Sequence, residues 1–360
     1  MIHPRVTLKQ VAAKAGVHVS TAWRALKNDT YVDAAKRARI RAVAKELGYT
    51  PDPMLTALSH YRRRQNPPAY QSTFAWVNTF PERRACLEQD NIKAFHTGAV
   101  EFAASMGFRL EEFWLKEPGM SAKRAREVLL TRGIRGLIFA PQPVAGVNLT
   151  LDIEPFTCVA IGYSLATPRM HVVCNHQHSS ALLTLRQLCK LGHERIGMVS
   201  ALETLRRCEH NFESPYYFFQ SLQPETTSIP MFTIPGLNEP ANINKAREGF
   251  LEWFNRHRPT AIVSHVSEVR GWLEAVGVRV PEEVSLATLS RIQDPDWSGI
   301  DQQEKLIGAR TVELLISLFQ SGERGAPATP MRMLVEGRWI EHETTRRIGP
   351  PAAELLERLA

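Results

Sequence analysis

From about Ser72 onward, short apolar runs alternate with amphipathic helical patterns through most of the remaining chain. The candidate strands are TFAWVN, LEEFWL, GLIFAP, CVAIGY, RIGMVS, MFTI, AIVSHV and SLATLS. Helices are predicted between them in AFHTGAVEFAASMG, SAKRAREVLLTRG, HSSALLTLRQLCKLG and NKAREGFLEWFNRH. Strict alternation is typical of parallel sheets with right-handed crossovers, and roughly 270 residues favour two such sheets over one. The pattern therefore predicts an α/β body.

The excess positive charge lies ahead of this body. Residues 1–66 contain 13 Lys and Arg against 4 Asp and Glu, a balance of +9, whereas the rest of the chain contains 31 and 33, a balance of −2. A basic module on a nearly neutral body is the electrostatic signature of a nucleic-acid-binding protein. A solvated basic tail is the alternative, but the segment has a helical pattern rather than a disordered one.

Three short helices are predicted in this basic segment. Thr7 can cap a helix in LKQVAAK, Gly16 permits a tight turn, and a second helix follows over residues 19–27. Asp33 can cap a third helix, which ends at Gly48, where a C-terminal glycine is expected. Two helices joined by a glycine turn and followed by a third indicate a helix-turn-helix unit.

In such a unit, the N-terminal part of the second helix enters the DNA major groove. Base contacts are therefore predicted for Val19, Ser20 and Arg24. Arginine suits the paired acceptors of guanine, whereas valine offers a methyl contact and serine one hydrogen bond. Thr7, His18, Thr21 and Lys27 are candidates for phosphate contacts that set the register. A solvated surface charge is the alternative for Arg24.

Several other classes of protein are disfavoured. The chain has no apolar run of roughly 18 residues, no signal-peptide pattern, and five scattered cysteines without a C-x-x-C pair, which together suggest reduced thiols in the cytoplasm. Nucleophile-elbow, zinc-protease, P-loop and dinucleotide motifs are missing from the sequence, so neither an enzyme nor a cofactor is expected. His171, His176 and His178 could suggest a metal, but they have no obvious acidic co-ligands and are interpreted as loop histidines.

TLKQVAAKAGVHVSTAWRALKND, followed by VDAAKRARIRAVAKELGYTPDP, resembles the DNA-binding headpiece of the lactose-repressor/galactose-repressor family of bacterial transcription regulators. Two residues, His18 and Trp23, depart from the pattern that is usual in this family. A small capping serine is usual at His18, so the second helix is expected to start later or to use Ser20 as its cap. A phosphate-contacting serine is usual at Trp23, whose indole N–H is expected to reach a phosphate, with closure of the headpiece core as the alternative.

The segment YTPDPMLTALSHYRRRQNPPAY comes next. Asp52 and Pro53 can start a helix, which has room for only about ten residues and would be marginal alone. The resemblance implies a hinge helix over residues 51–68 that orders on DNA, with Leu58 as the wedge in the minor groove and Leu55 beside it. An interdomain linker with leucines packed on the core is the alternative.

The resemblance continues through the body, in LGHERIGMVS, PTAIVSHV, VRVPEEVSLATLS, GIDQQEKLIGARTVELL and VEGRWIEHETTRR, and covers roughly residues 5–347. It implies a headpiece (1–50), a hinge (51–68) and a periplasmic-binding-protein-like core with two lobes, parallel sheets and three crossovers (69–347). The boundaries predicted from the sequence are 69–167 plus 300–328 for the N-lobe, and 168–299 plus 329–347 for the C-lobe. The tail, 348–360, is too short for a multi-heptad coiled coil, which favours a homodimer over a tetramer.

An effector cleft is implied between the lobes, at the carboxyl ends of the strands. Sugar-binding members of the family have charged residues there, but the corresponding positions hold Phe212, His265 and Ser290, while Gln302 matches the pattern. The predicted lining is Asn78, Phe80, Phe139, Tyr163, Asn175, His176, Phe212, His265, Ser290 and Gln302, with packing in the core as the alternative for each. Loss of the charged contacts favours an effector other than a simple free sugar. A more apolar or aromatic ligand and a degenerate cleft without an effector both stay open.

The sequence therefore predicts a dimeric DNA-binding transcription regulator, a repressor more readily than an activator, that binds a palindromic operator. Small-molecule binding in the cleft would shift the spacing of the two hinge helices between two states. A solute-binding protein of the periplasmic type is the alternative, and the basic headpiece argues against it. The sequence leaves open whether a ligand induces or co-represses.

Overall fold

The computed structural model describes residues 6–26, 32–49, 72–237 and 239–359. The predicted phosphate contact Lys27 and the predicted hinge, including Leu55 and Leu58, lie outside these ranges. Within them, none of the helices is both long and apolar enough to cross a membrane.

The N-terminal helices are α1 (Leu8–Lys14), α2 (Val19–Leu26) and α3 (Ala34–Glu46). Thr7 and Gln10 form a reciprocal capping box at the start of α1, and Asp33 caps α3 by accepting bonds from two backbone N–H groups. Gly16 takes a left-handed φ of 63° in the turn between α1 and α2, as its position predicted. One apolar cluster joins the three helices, with Val11, Ala22, Ala25 and Ile40 buried, among others.

The rest of the described chain alternates strands and helices. The strands are β1 (Ser72–Asn78), β2 (Phe108–Trp114), β3 (Gly136–Phe139), β4 (Val147–Asn148), β5 (Thr157–Ile161), β6 (Leu165–Thr167), β7 (His171–Asn175), β8 (Ile196–Ala201), β9 (Phe232–Ile234), β10 (Ala261–Ser264), β11 (Ser285–Thr288), β12 (Ser298–Asp301), β13 (Arg332–Val335) and β14 (Arg338–Ile340). The helices are α4 (Ala85–Glu88), α5 (Asp90–Ser105), α6 (Ala122–Thr131), α7 (Gln177–Lys190), α8 (Leu202–Arg207), α9 (Glu213–Ser221), α10 (Ile243–His257), α11 (Glu268–Glu274), α12 (Glu304–Ser321) and α13 (Ala353–Arg358), with a 3₁₀ turn at Pro240–Asn242.

Two six-stranded sheets form the body, which confirms the predicted fold class. The first sheet is parallel throughout, in the order β13-β7-β5-β3-β1-β2. The second has the order β14-β12-β11-β10-β8-β9 and is parallel except for its edge strand β14. Each sheet defines one lobe, and the chain passes between them after β7, after β12 and after β13. These three passages are the predicted crossovers.

The lobe boundaries differ from those predicted. Strand β7 pairs with β5, and β13 pairs with β7, so both belong to the first lobe although the prediction placed them in the second. Strand β12 lies in the second sheet, where it pairs with β11. Backbone pairing therefore moves the crossovers to about residues 176, 302 and 336, several residues beyond the predicted 167, 299 and 328.

Helices α5 and α12 approach each other closely on the first sheet. A Cβ atom at Gly98 would lie 1.9 Å from the backbone O of Lys305, and one at Gly308 would lie 1.9 Å from the backbone O of Phe95. Only glycine fits at both positions, so the two backbones can nearly touch. This contact fixes the helix that follows the second crossover against the first lobe.

The C-terminal tail folds back on the second lobe. Helix α13 packs against α7, and the Arg186 Nε atom donates a hydrogen bond of 2.8 Å to the backbone O of Leu359. Ala352 and Leu359 are buried in the apolar cluster of that lobe. The tail is thus an integral part of the second lobe rather than an extension from it.

His193 joins the amino ends of the second sheet to the C-terminal segment. Its side chain is fully buried, with Nδ1 3.1 Å from Thr260 Oγ1 and Nε2 3.1 Å from the backbone O of Arg346. Burial lowers the pKa of His193 from 6.5 to about 4, so the ring is neutral at neutral pH. The ring therefore acts as an uncharged hydrogen-bonding bridge.

Acid is expected to destabilise the fold partly through His193. Between pH 6.5 and 4 the unfolded chain binds a proton that the folded ring does not, so stability falls as the pH decreases through this window. The full loss is about 3 kcal/mol, since one pKa unit corresponds to ~1.4 kcal/mol. Urea unfolding at pH 7 and pH 5 would show it. A His193→Gln variant should lose less stability across this interval, and an equal loss in both proteins would contradict the assignment.

Candidate DNA-reading face and effector cleft

Helix α2 has one buried and one exposed face. Ala22 and Ala25 are fully buried against the other headpiece helices. Val19, Ser20 and Arg24 are exposed, which places all three predicted base-contacting residues on the outer surface of the headpiece. The alternation follows from the helical repeat, because residues three and four apart share a face. The face presents a methyl group, a hydroxyl and a guanidinium, the combination that base edges can recognise.

His18 caps α2, contrary to the prediction. The helix begins at Val19, and His18 Nδ1 accepts a hydrogen bond of 3.3 Å from the backbone N–H of Ser20. The same nitrogen lies 2.8 Å from Ser20 Oγ. The ring nitrogen takes the place of the usual side-chain oxygen, so the helix needs neither a later start nor a cap from Ser20.

Trp23 does not close the headpiece core. Its side chain is 54% exposed and lies outside the apolar cluster that joins α1, α2 and α3. Core closure, one of the two interpretations of this residue, is therefore wrong.

Thr7 and Thr21 flank this face. Thr7 is exposed, but its Oγ1 atom already lies 3.0 Å from Gln10 Oε1 in the capping box. A phosphate would have to compete for that hydroxyl proton. Thr21 is partly buried at the start of α2.

In the body, the carboxyl ends of the strands carry most of the predicted cleft residues. Asn78 and Asn175 are the last residues of β1 and β7, and His265, Ser290 and Gln302 follow β10, β11 and β12 within two residues. Parallel strands bring such positions to one edge of each sheet. Asn78, His265 and Ser290 lie at the ends of strands that the sequence predicted, whereas Asn175 and Gln302 lie at the ends of strands that it did not.

Phe139, Phe80 and Asn78 of the first lobe are part of the interior, and Phe212 lies in an apolar cluster of the second lobe. Phe139 is fully buried beneath α6, among Ala125, Leu129 and other residues of one apolar cluster, so its assignment to the cleft is wrong. Phe80 is 7% exposed within the other apolar cluster of the first lobe. The Asn78 amide is saturated, since Oδ1 accepts from the Phe80 backbone N–H at 2.9 Å and Nδ2 donates to the backbone O of Arg83 and to Glu112 Oε1, both at 2.8 Å.

His176 and Gln303 join the crossovers at Glu336, and Gln302 bonds the second crossover to the residue that follows β11. His176 Nδ1 lies 2.6 Å from Glu336 Oε1, and this contact lowers the pKa of the Glu336 carboxyl. Gln303 Nε2 donates to the backbone O of Glu336 at 2.6 Å, so all three crossovers meet at that residue. Gln302 Nε2 donates to the backbone O of Leu289 at 2.5 Å. These polar groups are used to fix the junction of the lobes.

Phe212 and His265 form a pair in the second lobe. Their ring centroids are 4.4 Å apart at an interplanar angle of 65°, an edge-to-face contact, and Phe212 is 2% exposed. Burial lowers the pKa of His265 to about 4, which keeps the ring neutral. Its Nδ1 lies 3.3 Å from Ser200 Oγ. Among the described residues, neither His265 Nε2 nor Nδ2 of the buried Asn175 has a hydrogen-bond partner.

The two halves of this architecture match two known families of domain. Residues 7–52 match the model for bacterial regulatory proteins of the lacI family, and residues 185–345 match the periplasmic binding protein-like domain. The chain thus combines a headpiece similar to the lacI family with a body similar to periplasmic binding proteins. It is a DNA-binding transcription regulator with an effector-binding type of domain.

Similar proteins confirm this arrangement of domains. The chain is 24% identical over 334 residues to the HTH-type transcriptional repressor CytR of Escherichia coli (strain K12), covering 89% of this chain and 92% of the relative. It is 21% identical over 329 residues to the repressor PurR of Aliivibrio salmonicida, covering 86% and 91%. The fold resembles that of a lac repressor dimer bound to operator and an anti-inducer, with a TM-score of 0.53, 16% identity, and coverage of 95% and 100%.

One contact between the lobes was not predicted from the sequence. Arg332, on β13 of the first lobe, lies 2.9 Å from Glu209, which follows α8 of the second lobe. The same guanidinium lies over the ring of Tyr163, 4.7 Å from its centroid. Glu209 and His210 both adopt left-handed φ angles, of 48° and 61°, which is unfavourable for residues with a side chain. A local charge pattern does not identify such a pair, because 123 residues separate its members.

Removing each partner is expected to have unequal effects. The ion pair is about half exposed, so Glu209→Gln should cost no more than ~0.5 kcal/mol. Arg332→Ala should cost about 1 kcal/mol, because it also removes the contact with Tyr163. Denaturant titration of the two variants gives the comparison. Equal losses would show that the aromatic contact adds nothing.

Proposed function

We propose that the protein represses transcription by binding a palindromic operator as a homodimer, with α2 of each subunit in the major groove. The exposed face of α2 carries this proposal, because its three outward side chains can recognise bases while its alanines anchor the helix. Residues 1–66 have a net charge of +9, which attracts the DNA backbone. Two-fold symmetry of the protein would require two-fold symmetry of the operator.

In this complex, Val19, Ser20 and Arg24 would contact bases. Thr7, His18, Thr21, Trp23 and Lys27 would contact phosphates and set the register. The exposure of Trp23 supports its role, since an indole N–H on the outer surface can reach a phosphate. Leu55 and Leu58 would enter the minor groove from the hinge and kink the duplex, a role that rests on the sequence alone.

The cleft would bind a small molecule that changes the relation of the two lobes. Asn175 Nδ2 and His265 Nε2 are the polar groups that would meet it, together with the partly exposed ring of Tyr163. Arg332 and Glu209 lie at the place where the lobes contact each other, so a ligand that alters their distance would shift the balance between two states. The bound molecule is not a simple free sugar held by charged residues.

Regulation without an effector is the second candidate. Asn78, His176 and Gln302 each use polar groups in bonds within the protein, which reduces what the cleft offers to a ligand. Thermal shift measurements with a library of small metabolites would separate the two candidates. Under either one, the protein acts in the cytoplasm, where bacterial DNA lies, and its role needs no catalytic step, metal or cofactor.

A truncation tests the role in DNA binding. The full chain and a chain lacking residues 1–66 would be mixed with a random pool of labelled duplexes, at two salt concentrations. The full chain should retain a specific subset of duplexes and the truncated chain none. Circular dichroism would check that the truncated chain keeps its folded body. Equal retention by both proteins, or none by either, would contradict the proposal and favour a solute-binding role.

A further inference from the structure

His18, which caps α2, also determines whether the hydroxyl of Ser20 can donate or only accept a hydrogen bond from DNA. Ser20 lies on the exposed face of α2 that is proposed to contact bases. His18 Nδ1 lies 3.3 Å from the backbone N of Ser20 and 2.8 Å from Ser20 Oγ. Both side chains are exposed. One ring nitrogen therefore contacts both the backbone and the hydroxyl of the same residue.

The direction of these two bonds follows from the backbone. A backbone N–H can only donate, so His18 Nδ1 must present its lone pair, and the ring proton of the neutral form lies on Nε2. The short contact with Ser20 Oγ then requires the hydroxyl to donate its proton to Nδ1 as well. Ser20 Oγ keeps its lone pairs and has no proton left to give.

We infer that His18 makes Ser20 an acceptor-only reader of the operator, which selects a base whose amino group lies in the major groove at one position of each half-site. In the major groove, adenine and cytosine offer an N–H donor there, whereas guanine and thymine present only acceptors. A serine with a freely rotating hydroxyl recognises either class. The inference rests on the proposed contact of α2 with the operator.

This preference distinguishes the two orientations of a base pair. It does not distinguish an A·T pair from a G·C pair. Each base pair carries one amino base and one keto base in the major groove. Ser20 would therefore prefer A·T to T·A and C·G to G·C on the strand that it contacts. The Nε2–H of the same ring would remain available for a phosphate, so one neutral histidine would cap the helix, orient the hydroxyl and bind the backbone.

The test uses the full-length protein and the duplex that it selects from a random pool. Each base pair of a half-site is changed to the other three, and affinities are measured for the parent protein and for Ser20→Ala. The position at which the Ser20→Ala variant changes the profile is the serine contact. There, the parent protein should bind adenine and cytosine about tenfold more tightly than guanine and thymine, which corresponds to about one hydrogen bond.

Two variants at His18 then separate its effect on the Ser20 hydroxyl from its role as the cap of α2. His18→Gly lacks the acceptor but is a tolerable cap, so the preference for amino bases should fall to about twofold at that position alone. His18→Asn keeps an acceptor at the cap and should retain the preference. Three results would overturn the inference if specificity at the other positions is kept. They are a preference for guanine or thymine at the serine contact, an unchanged base preference in His18→Gly, and the absence of any position at which Ser20→Ala changes the profile. Loss of sequence preference at every position in the parent protein would instead refute the proposed function.

Discussion

Replacing Arg24 by alanine is expected to weaken binding of the selected operator by about 10- to 100-fold. Arg24 is exposed on the reading face of α2, and a bidentate arginine–guanine pair contributes about 1–3 kcal/mol of discrimination. Nonspecific affinity should fall much less, since the rest of the basic headpiece still attracts the phosphates. Titration of the operator and of a scrambled duplex at the same salt concentration gives both numbers.

Arg41 offers a matched control. It is an exposed arginine on α3, within the same headpiece, and its replacement by alanine removes the same charge from a different surface. Arg41→Ala should change operator and scrambled affinities by similar, small factors and leave the preference between them intact. If the two variants behave alike, Arg24 contributes charge only, and it does not read bases.

Replacing Gly308 by alanine is expected to destabilise the first lobe by about 3 kcal/mol or more. The new Cβ would lie 1.9 Å from the backbone O of Phe95, and neither backbone can move without separating α5 from α12. Because α12 follows the second crossover, the change should also disturb the junction of the lobes. Chemical denaturation followed by circular dichroism measures the loss.

Gly271 provides the opposite case. It lies in α11, and a Cβ there would meet no described atom within 4 Å. Gly271→Ala should therefore stabilise the protein by about 0.5–1 kcal/mol, since alanine loses less conformational freedom in a helix. If Gly308→Ala and Gly271→Ala lose the same stability, the close approach of α5 and α12 is not the reason why position 308 requires glycine.

The sequence predicted the fold well where the pattern was long. The three headpiece helices, eight of the strands and four body helices were identified from periodicity. Strands β4 and β6, of two and three residues, were missed. Strands β7, β12, β13 and β14 were missed too, because they are three to five residues long and mix polar residues with apolar ones. A run this short has no measurable period, and two of these strands lie at sheet edges, where alternation is weakest. Missing β7, β12 and β13 is what displaced the lobe boundaries.

For the candidate sites, the sequence indicated positions along the chain but not the contacts of each side chain. The order of residues along a strand places Asn78 and His265 at its carboxyl end, but it does not say which atoms already have partners. All four residues of β3 are buried, so the pattern gave no reason to separate Phe139 from a cleft residue. The cap formed by His18 was missed because a ring nitrogen is an uncommon substitute for a side-chain oxygen.

The most direct test of the central claim is the symmetry of the DNA that the full-length protein selects. Duplexes retained from a random pool would be sequenced and aligned. A two-fold symmetric consensus with a flexible pyrimidine–purine step at its centre is predicted, because a dimer would place one α2 in each half-site and its hinge leucines at the middle. Retention of duplexes without a consensus, with an affinity that depends on salt alone, would contradict the account and leave a headpiece that is merely basic.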